Sequence, residues 1–317
     1  MNYVLVTALL DIHLNQLLTK PIAIKDGLFF TNNSEQLSAY ICTAHLLSAG
    51  SLEARLLTNN TPCLYRLEHG KHPDQIPIDT IDFLREVQAF LTATWLLRDN
   101  SANCELAFAF GMNGQHTHSH SNSLALHYCH HSGKKFPLHI SIDELHSICQ
   151  NHKCSFQGIR EAVRPQHTAH QAQLSRLDRG MLFLQQARSS DDLGQKISNY
   201  CSLFESILST SAAELSHQLA ERIAFFTEDA ATERLHLFRE IKRAYSIRSK
   251  IVHGDTLSTS TINKLIDSAS ICDTTARRLI ARIISTPHLE RLLSSGKNAE
   301  IEDFALELLF GLRQSAL

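Results

Sequence analysis

From Met181 to Ile283 the apolar residues return every three or four positions, and that period narrows the choice of fold more than any other feature. Met181, Leu184 and Ala187 mark one stripe; Leu193, Ile197, Tyr200, Phe204 and Ile207 mark the next. Leu215, Leu219, Ile223 and Phe226 make a third, and Leu237, Phe238, Ile241 and Tyr245 a fourth. A long fifth runs from Ile262 through Leu265, Ile266, Ala269, Cys272, Ala276 and Leu279 to Ile283. Each stripe has a polar opposite side, the pattern of a helix that buries one face. Glycine and proline are rare here, so the spacing predicts an all-α helical bundle over residues 175–317.

The first 160 residues carry a different texture. "YVLVT", "CLYRLEHG", "CELAFAFG" and "LALHYCH" read as strands, and "IAIK-DG-LFFT" as a hairpin turned at Asp26-Gly27. Ile81, Leu84, Val87, Leu91 and Trp95 predict a helix that stops at Asp99-Asn100. Ser141 and Glu144 form a capping box for a short helix. The expected fold class is therefore an α+β domain over 1–160, a linker over 161–174 around Pro165, and the helical bundle beyond it.

A net charge of -2 removes any global basic excess, so a nucleic-acid site would have to be local. The N-terminal stretch has no basic flank, and Asp11 and His13 interrupt it; it reads as mature sequence. No run of apolar residues is long enough to span a bilayer, so no membrane partner is expected. Eight scattered cysteines without a C-x-x-C pair read as reduced thiols of a cytoplasmic protein. Phosphate-loop, dinucleotide and nucleophile-elbow motifs are absent, and no cofactor is expected.

Nineteen histidines invite a search for metal ligands. His116, His118 and His120 fall at period two and would share one face of a strand, the arrangement of a metal-dependent hydrolase. The surrounding "GMNGQHTHSHSNS" has loop composition, however, and loop histidines need no metal. His146, Cys149, His152 and Cys154 form a second constellation that lacks the close cysteine pairs of structural zinc sites. No metal is assigned to either.

The fourth helical segment ends in "AYSIRSKIVHGD". Gly254 directly follows His253, and glycine is the residue that closes a helix in the left-handed conformation. His253 thus falls in the last turn, where the carbonyl end of the helix dipole favours a positive charge. Arg248 lies five residues earlier, so the two side chains project about 140° apart on one helix. They can meet a common ligand only in a cleft, or in a groove made with a second copy.

"RSKIVH", an R-x-x-x-x-H motif at the end of a bundle helix, resembles the signature of HEPN-domain ribonucleases, and "YSIRSKIVHG" is similar to their ApeA-like branch. "YCSLFESIL" with Glu205, and "ELSHQLAERIAFF" with His217 and Arg222, resemble the upstream helices of such domains. The resemblance spans about Leu177 to Ile284; in the first half "ATWLLRDNSAN" is only loosely similar to sequence that accompanies these domains. It implies Arg248 and His253 as catalytic residues, with Ser249, Lys250, Tyr245 and Glu205 in support. It further implies RNA as substrate, a homodimer with a composite site, and a role in anti-phage defence or as a growth-arresting toxin. The His-x-Tyr of modifiable toxin domains is missing, because Gly254 and Asp255 follow His253. A non-catalytic dimerisation or RNA-binding module, with residues 1–160 as sensor, is the alternative.

Overall fold

The computed structural model describes residues 1–25, 27–113, 116–124, 126–153, 174–211, 215–295 and 297–312. Two compact units divide the chain: Met1–Tyr128 with Lys135–Ser155, and Cys129–Lys134 with Phe156–Leu317. The first is built on an antiparallel sheet and the second is helical. Among the described residues no helix is long and apolar enough to cross a membrane.

The sheet runs β3 (Ile22–Lys25), β4 (Leu28–Thr31), β5 (Cys63–Glu68), β1 (Asn2–Ala8), β6 (Leu106–Asn113) and β7 (His116–Ser123) in spatial order. Its central strand β1 reads as a continuous β-branched and apolar run because both its faces are covered. Tyr3 and Leu5 join Phe83, Leu84, Val87 and Phe90 of helix α4 (Ile76–Leu97) in one core. Val4 and Val6 point the other way, onto Leu37, Ile41 and Leu57. Those residues belong to the layer of α1 (Ser34–Leu37), α2 (Thr43–Ala49) and α3 (Ser51–Thr58), which the apolar spacing does not announce. The hairpin between β3 and β4 forms around Gly27 at φ 78°; Asp26 lies outside the described residues. Ser141 and Glu144 cap α5 (Ile142–Lys153) reciprocally, as their spacing requires.

Two expectations for this unit fail. "LALHYCH" forms no strand among its described residues; instead Asn103 clamps the Tyr128 backbone, donating to its carbonyl and accepting from its amide. "HTHSHSNS" is not loop but edge strand β7, paired with β6 residue for residue from Asn113↔His116 to Leu106↔Ser123. Loop-like composition misleads here because an edge strand with both faces partly wet has no apolar alternation to display. Two short strands, β2 (Ile12–Leu14) and β8 (Leu138–Ile140), add a parallel pair.

The helical unit contains α6 (Arg176–Ser189), α7 (Leu193–Leu208), α8 (Leu215–Thr227) and α9 (Ala231–His253). The expected fifth helix is broken: Ile262 ends a single turn, α10 (Thr259–Ile262), and α11 (Leu265–Ser285) starts afresh after Lys264. Helices α12 (Pro287–Ser295) and α13 (Asn298–Leu309) follow. Ile197, Phe204, Ile223, Ile241, Cys272 and Ala276 are buried, as the stripes require. Phe238 is only half-buried, its ring edge-on to His217 and beneath the Lys242 ammonium. Most of the expected linker, including Pro165, lies outside the described residues.

Candidate functional site

The end of α9 is positioned by its apolar face. Leu237, Ile241, Ala244, Tyr245 and Ile247 are buried, which turns Arg239, Lys242, Arg243 and Ser249 outward. One of these cations, Arg243, is already paired with Glu240 at 2.5 Å. At the last turn the Gly254 amide donates to Ile251 O (3.2 Å) and the Asp255 amide to Lys250 O (2.8 Å). With Gly254 at φ 75°, these two bonds are a Schellman closure. Two of the terminal carbonyls are therefore satisfied by backbone amides, and His253 is left as an exposed side chain.

Other helix ends of this unit are closed differently. Lys196 Nζ donates to Ala187 O of α6 (2.7 Å), Arg222 to Leu208 O of α7 (2.6 Å), and Arg282 to Phe226 O of α8 (3.0 Å). Each places a cation from another helix at a carbonyl terminus, where the dipole favours it. Arg222 is thus a buried structural tie that also holds Glu302.

Arg248 is half-buried, and its guanidinium meets Glu205 Oε2 at 3.3 Å. Glu205 therefore orients Arg248 across the α7–α9 contact rather than forming a pair along one helix surface. Tyr245 lies deeper than a residue with its hydroxyl at the edge: it is buried and donates to Cys201 O at 3.1 Å. Burial first, then the neighbouring Cys201 and Glu205, holds its hydroxyl well above the usual tyrosine range. Tyr245 stays protonated and serves packing and orientation. Lys250 is half-buried, and its carbonyl takes part in the helix closure.

Gly194, in the first turn of α7, is a residue that a reading by apolar period passes over. A Cβ there would lie 2.5 Å from Ile251 Cδ1, so the last turn of α9 is seated directly on this glycine. A glycine inside a helical pattern is the available signal of such a close approach. A cleft of about 440 Å³ lies toward the other end of α9, lined by Glu228, Thr232, Glu233, His236, Thr274 and Arg278. His236 and His253 are seventeen residues apart, roughly 25 Å along a helix, so this cleft does not serve the Arg248–His253 end.

Strand β7 does align His116, His118 and His120 on one face, opposite to Ser119, whose hydroxyl meets Ser48 at 2.6 Å. Among the described residues their ring nitrogens are not gathered into a metal-ligand group. The second constellation is split: His146 is exposed while Cys149 is buried in the core, and Cys154 lies outside the described residues. Comparison with protein-family models, with curated proteins and with solved structures finds no match for this chain.

Proposed function

We propose that the end of α9 is the catalytic end of a metal-independent endoribonuclease of the HEPN class, acting as a homodimer in anti-phage defence or growth arrest. The observation that carries this reading is the exposed His253 held at a self-closed helix terminus, five residues after an Arg248 that Glu205 orients. In the reaction the ribose 2′-hydroxyl attacks the adjacent phosphorus. His253 takes or returns the proton at the oxygen that gains or loses it, and Arg248 stabilises the added negative charge on the phosphoryl oxygens. Because the two side chains diverge by about 140° on one helix, a second copy supplies the facing wall of the groove. Exposed Arg239 and Lys242 extend the positive surface for the RNA backbone.

The test is cleavage of a mixed RNA substrate in EDTA by the wild type, His253→Ala and Arg248→Ala. Loss of cleavage by about 100-fold or more in both variants, with helical circular dichroism retained, is the expected result. Wild-type cleavage by His253→Ala would sink it. One observation favours the alternative, a non-catalytic HEPN module: Arg248 is already engaged by a carboxylate. That reading predicts dimerisation with no cleavage in any variant.

A further inference from the structure

We propose that Cys42 and His45, in the sheet unit, form a nucleophile–base pair at which a peroxide oxidises the thiol to the sulfenic acid. This site is independent of the α9 end. The string "CTAH" puts the two residues one helical turn apart, with Cys42 just ahead of α2. Cys42 is the one exposed cysteine among the described residues. His45, by contrast, is only 1% exposed, and its ring stacks on Phe110 at 5.0 Å between centroids.

The hydrogen bonds set the roles. His45 Nε2 lies 3.1 Å from Gly111 O, and a carbonyl oxygen only accepts, so Nε2 carries the ring proton. Nδ1 is then the basic nitrogen, and it faces Cys42 Sγ at 3.5 Å. A nucleophile, a base and a group that orients the base are the parts of an activated thiol. Cys42 is exposed, so a small oxidant reaches its sulfur directly from solvent. Three buried thiols are shielded: burial pushes Cys63, Cys104 and Cys272 up to about 12, which keeps them protonated and inert.

In the step, the Sγ proton passes to Nδ1 and the thiolate attacks one peroxide oxygen. The S–O bond forms as the O–O bond breaks; sulfur is oxidised and the peroxide reduced. The leaving oxygen takes the proton from Nδ1, so hydrogen peroxide yields one water and Cys42 sulfenic acid.

Nδ1 also accepts the Cys42 backbone amide at 3.3 Å, so His45 caps α2 as well, and the test must separate the two roles. His45→Asn keeps a cap acceptor but removes the base. Wild type and H45N are treated with hydrogen peroxide, the sulfenic acid is trapped with dimedone, and adduct formation on the Cys42 peptide is timed by mass spectrometry. Wild-type Cys42 is expected to react at least about tenfold faster than in H45N. It is likewise expected to outrun the same thiol in urea-unfolded wild type, a comparison that needs no variant. Equal rates in either comparison overturn the proposal, as does a native protein that stays unmodified at Cys42.

Discussion

The two units differ in how deeply they bury full charge. On the sheet side, the two cores are apolar layers on either face of β1, the ion pairs of Lys25, Arg66, Glu68 and Glu86 stay partly exposed, and the buried carboxylates Asp79 and Asp99 keep 7% and 8% exposure. On the helical side, full charges go inside: Lys196 and Asp273 are completely buried and Arg222 nearly so. Asp273 accepts from Tyr200 Oη at 2.6 Å and pairs with Arg277 at 2.8 Å, tying α7 to α11. The difference follows from where each backbone finds its hydrogen bonds. Helices satisfy themselves except at their ends, so buried cations are used there as caps from one helix to another. A sheet satisfies itself only by pairing distant strands, and its side chains are left to fill the layers.

The comparison can be broken by substitution, with Trp95, the chain's single tryptophan and fully buried in α4, reporting on the sheet unit. Far-UV circular dichroism follows the helices. The largest effect is expected for Asp273→Ala, about 3–5 kcal/mol in urea denaturation, because it removes the buried carboxylate that the Arg277 guanidinium and the Tyr200 hydroxyl share. Leu5→Ala should cost about 2–4 kcal/mol as a cavity in the sheet core, and should move the Trp95 transition. A milder result for Asp273→Ala than for Leu5→Ala would mean that the buried charges are not the ties described. Gly254→Ala should cost about 1–2 kcal/mol, since at φ 75° alanine is held in the left-handed region that glycine enters without penalty. His253→Ala should leave stability within about 0.5 kcal/mol, as an exposed side chain, so that any loss of the proposed cleavage is read apart from folding.

The smallest effect concerns pH. Thr210 first, then Arg222, holds the partly exposed Glu302 carboxyl below its usual range. A lowered folded-state value means stability that is present above the ordinary glutamate range and lost as pH falls through the lowered value. The unfolding midpoint of the wild type should therefore drop on acidification more than that of Glu302→Gln, whose remaining amide does not titrate.

Much of the helical unit was legible because its signal is local. Ile197, Phe204, Ile241 and Ala276 reveal their burial through neighbours three and four positions away. Ser141, Glu144 and Gly254 announce their helix ends the same way. The break at Asn263-Lys264 was not legible, since the apolar stripe continues across it. In the sheet unit, "LALHYCH" and the β7 histidines were misread because their partners, Asn103 for Tyr128 and β6 for β7, are set by pairing across the chain. Cys42 and His45 stand three residues apart in plain view, but Gly111 O, which makes His45 a base, is 66 residues away.

By itself, then, the sequence determined the switch from mixed to helical texture, the helical faces, and the placing of Arg248 and His253 at a glycine-closed helix end. The tertiary structure decided that Glu205 reaches Arg248, that Tyr245 sinks into the core, and that Ile251 rests on Gly194. The reason is physical. Helical periodicity and caps act over one or two turns and are written in the order of residues. An ion pair, a buried hydroxyl or a close approach depends on which helix lies alongside, and that is fixed only when the stripes pack.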